Sequence, residues 1–311
     1  MTGKTGLLLG DSKPFRSLLH LIRSHTYMKL SQARIAIVLG VVVVSSSGCG
    51  VINRIRAKNQ LNEAARSYRE AHFEEAETHA RNALALDPSN KTAPLFIARI
   101  VHREYQPGVS TPANIDKAKK AIEEYKQILQ TDPKNEEAYK AIASLLGAIK
   151  QDQQQREWIT KRAADPNVDK DKRAEAYVVL ASKDWHCSNE ITDLPTNKIT
   201  TVNPVNNKAT LSYKKPKEDK DFQTARMCVA HGLEEIENAI RFDPTSEAAW
   251  SYKTNLLIEQ SKLFEMDGKM DMKAQIDKDA EVARKRTDEL NKENEKKREE
   301  EAKKKASPTP G

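Results

Sequence analysis

The sequence is poor in aromatic residues, which make up 5% of its 311 residues, while charged residues make up 31%. That balance argues against a sandwich or barrel and for helices carrying charge on their water-facing sides. Catalytic signatures are missing as well. There is no G-x-S-x-G, no phosphate-cradling glycine loop, no H-E-x-x-H and no clear nucleophile–base pair, and the seven histidines are scattered. Glu74-Glu75 and Glu234-Glu235 stand beside lysines and arginines and read as solvated faces. The chain is therefore expected not to be an enzyme and to need no cofactor. Nor is there a basic stripe interleaved with aromatics to suit a phosphate backbone. Of the net +7, +5 falls within residues 1–48, leaving +2 for the rest, so nucleic acid is not an expected partner.

Long apolar runs are also scarce. The one that stands out, Ile35–Val44, follows the basic stretch Met28–Arg34 and precedes the small residues Ser45–Gly48. Basic, apolar, small is the order of an export signal over 28–48. The run is short for a bilayer span, although an uncleaved anchor stays open. Ser47-Gly48-Cys49 directly behind it resembles the lipobox of bacterial lipoproteins, with Ser46 where that family usually has leucine. The resemblance implies a diacylglyceryl group on Cys49 as the mature first residue. It further implies an exported chain anchored by lipid in the cell envelope, with Gly50 at the next position compatible with an outer membrane facing the periplasm. Residues 1–27 are expected to be an upstream extension, with Met28 the true start, and 49–56 a tether.

Between these ends a unit recurs. "NALALDPSN", "YKQILQTDPKN", "TKRAADPNV" and "ENAIRFDPTS" each end a helix at Asp-Pro, and Pro88, Pro133, Pro166 and Pro244 are spaced by 45, 33 and 78 residues. Ala76, Ala80 and Ala83 stand at the same distances before their proline as do Ala121, Tyr125 and Ile128, and as do Gly232, Ile236 and Ala239. A small residue near a helix centre lets an antiparallel neighbour approach, and larger ones fill the gaps around it. The third copy departs, with Gln154 at the small position and Trp158 at the bulky one.

This pattern resembles the tetratricopeptide repeat family. The resemblance implies an all-α, right-handed solenoid of about five helix hairpins over 57–290. The repeats fall near 57–90, 91–135, 136–168, 169–246 and 247–290. Residues 105–114 read as a loop. Residues 188–226 interrupt the fourth repeat with a small β-hairpin, Ile199–Val202 and Ala209–Tyr213. A charged tail occupies 291–311. The family's first helices line a groove for partner peptides. The groove positions carry over to Lys58, Tyr68, Arg69, Arg99, His102 and Arg103 at a basic end, and to Glu137, Lys140, Trp185, Asn255 and Glu259 further on. The family's carboxylate clamp is not carried over, because Leu61 and Ala65 occupy its positions.

The repeat register brings Cys187 and Cys228 near one helix-to-helix turn. With an export signal a disulfide is expected. Two buried thiols, or a metal held by His186, Cys187, Cys228 and His231, remain open alternatives. The functional expectation is a membrane-anchored scaffold binding protein or peptide segments. The alternatives are an assembly factor for outer-membrane or secreted proteins, and a metal protein or enzyme built on the Cys/His cluster.

Overall fold

A computed structural model describes residues 50–202, 204 and 207–306. The expected signal peptide, Cys49 and residues 1–27 lie outside the described residues, as does the end of the tail. The chain is all-α apart from one two-stranded ribbon, and it divides into two compact units at Gln130/Thr131. In chain order the helices are α1 (50–69), α2 (Phe73–Leu86), α3 (Ala93–Glu104), α4 (Pro112–Thr131), α5 (Glu136–Ala148), α6 (Asp152–Ala164), α7 (Lys170–Thr192), α8 (Asp219–Phe242), α9 (Glu247–Met266) and α10 (Met270–Ala306). They form successive hairpins: α1–α2 and α3–α4 in the first unit, then α5–α6, α7–α8 and α9–α10 in the second.

Three of the Asp-Pro stops between hairpins are Asx turns. Asp87 Oδ1 accepts from the Ser89 amide and hydroxyl, Asp243 Oδ1 does the same for Thr245, and Asp165 Oδ1 accepts from the Asn167 amide. At three junctions a side chain also takes an amide of the next helix: Asn90 Oδ1 accepts from Ala93 N, Asn135 Oδ1 from Ala138 N and Ser246 Oγ from Ala249 N. These satisfy amides that a helix start would leave bare, whereas α7 starts without a side-chain cap.

Within hairpins the link is different. The His72 amide donates to Ser67 O, that of Gln151 to Leu146 O and that of Lys269 to Phe264 O, each at 2.9 Å. The residue before each donor, Ala71, Lys150 or Gly268, has a positive φ of 62°, 59° or 71°. These are three Schellman turns, at one of which the sequence supplies the glycine the geometry favours.

The small residues of the repeat are fully inside: Ala76, Ala80 and Ala83 of α2, Ala121 of α4 and Ala239 of α8 all have no exposed area. In the second unit Ala181, Ile236, Ala239, Ala249 and Leu256 form one core, and Phe222, Ala225, Val229, Leu263 and Met266 a second.

Several boundaries are corrected. Residues 50–56, expected as a tether, are helical. The loop 105–114 is shorter, because α4 begins at Pro112 and Asn114 folds back to hydrogen-bond Gln106 N, Gln106 O and Val109 O. The inward register of α6 is Ile159 and Ala163, one residue off the expected one. Trp158 instead stacks on Tyr139 and donates to its carbonyl oxygen. The insertion in the fourth hairpin is confined to 193–218, because α7 continues to Thr192 and α8 starts at Asp219. It carries a 3-10 turn, Pro195–Asn197, and the antiparallel strands β1 (Lys198–Val202) and β2 (Ala209–Tyr213). Beyond Leu290 the charged stretch stays helical, and Asn294 donates to Glu247.

Candidate functional site

The second unit holds a groove of about 470 Å³ between α5, α6, α7 and the start of α9. Its floor is apolar: Ala143 from α5, Ile159 from α6, Ala176 and Val179 from α7, and Ala248 from α9. Ile159 and Ala176 of this floor belong to one core with Ala163 and Leu180. Val179 stays 43% exposed, an apolar side chain left in water on the lining of the groove.

One wall is a stack. The Arg162 guanidinium lies 4.0 Å from the centre of the Tyr139 ring and pairs with the Glu136 carboxylate, while Trp158 stacks on Tyr139 with centroids 5.7 Å apart. Burial pushes the Tyr139 hydroxyl up to about 12, so it stays protonated at neutral pH. On the rim Lys140 pairs with Glu175 at 3.5 Å, and Lys172 with the same carboxylate at 2.6 Å. Charges of both signs thus ring an apolar floor, an arrangement suited to holding an apolar side chain while a polar backbone lies along the rim.

The first unit contains a cleft of about 510 Å³ lined by Arg103, His72 and Lys117 together with Glu74, Glu75 and Glu104. Its charge is mixed rather than basic. Of the six positions expected there only Arg103 lines it. Tyr68 is half-buried, edge-on to both Phe73 and Phe96 at 5.7 Å, and so packs the helices together. His102 Nδ1 lies 3.3 Å from the Tyr125 hydroxyl, and burial, with Arg103 adding to it, holds its pKa below the ordinary value. Lys58, Arg69 and Arg99 are exposed.

Among the later positions Lys140 lines the second unit's groove; Trp185, Asn255 and Glu259 do not. Trp185 belongs to the α7–α8–α9 core and meets Tyr252 edge-on. Glu259 is 1% exposed and accepts from Ser188 Oγ, Asn189 Nδ2, Thr192 Oγ1 and Lys262 Nζ, a fully satisfied structural node. Glu137 is exposed on α5.

Cys187 and Cys228 form a disulfide, with Cα atoms 6.1 Å apart, that joins α7 to α8 inside both helices rather than at the base of the insertion. Both thiols of the alternative metal set are joined in this disulfide, and among the described residues no group of three His, Cys, Asp or Glu is placed to hold an ion. A cleft of about 830 Å³ opens beside the disulfide. In it the Asp184 carboxylate pairs with Arg156, and its Oδ2 is buried without a partner. Burial pushes the Asp184 pKa up against the opposing pull of Arg156 and His231. Burial, and then Asp184 itself, does the same to Glu235.

Stacked antiparallel hairpins with capped Asp-Pro turns define a helical-repeat protein. No protein-family model and no curated protein matches the chain. Among solved structures it is similar to a MamA RS-1 double mutant at 14% identity, over 77% of this chain and 96% of that one, with a TM-score of 0.39. It is similar to Pseudomonas aeruginosa PilF at 15% identity, over 72% and 77%, with a TM-score of 0.36. It is also similar to YrrB, described as a TPR protein with an unusual peptide-binding site, at 13% identity, over 72% and 88%, with a TM-score of 0.32. At that level of similarity the repeat rests on this chain's own turns and hairpins.

Proposed function

We propose that the protein is an interaction scaffold that takes a segment of a partner protein in the groove between α5, α7 and the start of α9, with a bulky apolar side chain of that segment seated on Val179. The observation that carries this is an exposed valine on the apolar lining of a groove rimmed by paired charges. An exposed apolar patch inside a concave, preformed site is a recognition feature rather than ordinary surface. Panning a random peptide library on the full chain tests it. Enriched peptides should share a large apolar residue and lose binding to a Val179→Asp variant whose helical content is unchanged. Peptides that bind the variant equally well refute the groove.

The scaffold is held at a membrane of the cell envelope by lipid on Cys49. Support comes from the order of basic, apolar and small residues before that cysteine. Mass analysis of the membrane-bound protein should find a diacylglyceryl cysteine as its first residue, and Cys49→Ala should abolish that species. An unmodified Cys49 in the membrane fraction refutes the lipid anchor.

A further inference from the structure

The ribbon β1–β2 stands apart from the groove, and its outer part is exposed. Every residue from Ile199 to Val202 and from Ala209 to Leu211 is exposed, including Ile199, Val202 and Leu211. Its base is fixed firmly. Asn197 is buried and donates to Ile191 O, Lys198 pairs with Asp193, Lys215 pairs with Asp267, and Lys262 lies over the Tyr213 ring. An isolated two-stranded ribbon is marginal in water. This one is held out in a defined position by its root.

The two edges differ. The Lys214 amide donates to Asn197 O at 3.0 Å, which makes that pair a hydrogen-bonded one in the ladder register. Such pairs alternate along an antiparallel ladder. Ile199 and Thr201 therefore bond across to β2, while Lys198, Thr200 and Val202 direct their N–H and C=O groups away from it. On β2 the equivalent outward amide, that of Tyr213, is taken by Glu265 Oε1 at 3.0 Å. Among the described residues the sheet has two strands, so no described strand lies beside the outer edge of β1.

Charge selects what fits that edge. Residues 194–217 contain five lysines and no acidic residue. Two copies pairing edge to edge would bring like charges together. The exposed apolar residues are split between the faces, Val202 and Leu211 on one and Ile199 on the other. A ribbon lying flat on a bilayer would leave one set in water. An extended chain pairing with the edge meets both faces through its alternating side chains.

We propose that the outer edge of β1 is a strand-addition site for an acidic, extended segment of a partner protein. Main-chain bonds at Thr200 and Val202 supply the pairing, and the ribbon's overall excess of lysine supplies the preference for acidic sequence.

The test uses the full chain and a fluorescent Glu-Val-Glu-Val-Glu-Val peptide, with Lys-Val-Lys-Val-Lys-Val as its control. The acidic peptide should bind, weaken with salt, and slow amide exchange in β1. Thr200→Pro removes an outward amide but no ladder bond, and should weaken binding roughly tenfold or more with helical content and β2 exchange unchanged. Lys214→Glu with Lys217→Glu should weaken it while Val179→Asp leaves it intact, which separates this edge from the groove. Equal binding of the basic peptide, or no effect of Thr200→Pro, overturns the proposal. So does protection of the ribbon by phosphatidylglycerol vesicles without peptide, or concentration-dependent dimerisation lost in Thr200→Pro.

Discussion

The Arg156 guanidinium of α6 closes on the Asp184 carboxylate of α7, whose second oxygen is buried with no partner. Asp184 is 3% exposed. The arginine is the cation that makes a carboxylate tolerable there, and Glu235 of α8 adds a second carboxylate to the same neighbourhood.

This cluster sets a pH dependence. Burial, the largest influence on each, raises the folded pKa of Asp184 above 3.8 and that of Glu235 above 4.5. The native state therefore holds protons that the unfolded chain has already released. Stability is fully present below the ordinary values and is lost as pH climbs through the raised ones. Thermal melts should show this part of the melting temperature falling upward from about pH 4, and Asp184→Asn should flatten the fall. Arg156→Ala should cost about 2 kcal/mol near neutrality, below the cost for a fully buried pair because the guanidinium reaches water. That cost should shrink at acid pH; a pH-independent cost would contradict the assignment.

Gly232 lies where α8 meets α7 and α9. A Cβ there would stand 2.6 Å from Leu256 Cδ2 and 3.1 Å from Asp184 Cβ. Gly232→Ala gains helix propensity of about 1 kcal/mol but overfills a site whose leucine is fully buried. Denaturant titration should show a net loss of about 1 kcal/mol or more. Leu256→Val in the same chain should return part of it.

The Schellman turns offer a matched set. Lys150→Gly and Ala71→Gly relieve side chains at positive φ and should each stabilise by about 0.5–1 kcal/mol. Gly268→Ala, at the equivalent place in the last hairpin, should destabilise by a similar amount. If all three changes had one sign, the turns would not be equivalent.

Reduction of Cys187–Cys228, or Cys187→Ser with Cys228→Ser, should lower stability by about 4 kcal/mol in the chain-entropy account of a loop of this length. The helices should persist, because α7 and α8 also share apolar cores. Mass analysis under non-reducing conditions should find no free thiol at either position.

The hairpins were legible because Asp-Pro and small residues at constant distances report local needs: an Asx turn, a cap, a close helix approach. Partners far along the chain were not legible. Ser188, Asn189 and Thr192 look like the start of a loop, yet they are the last turns of α7 because they bond to Glu259 about seventy residues on. Tyr68 and Trp185 sit at expected groove positions but are spent on packing. Lys140 marked the groove's edge, whereas Val179 carries no sequence signal, because an exposed valine is meaningful only once the floor around it is assembled.

The two kinds of turn divide labour within each repeat. Every link between successive hairpins is short and carries Asp-Pro, whereas the longer links, 105–111 and 193–218, both join the two helices of one hairpin. Added chain is thus admitted only at the end of a hairpin opposite its Asp-Pro junction, where it leaves the spacing of the stack undisturbed. A Schellman turn such as Ile149–Gln151 is in that sense a graft point, where a foreign epitope or a reporter loop can be carried without reworking the array beneath it.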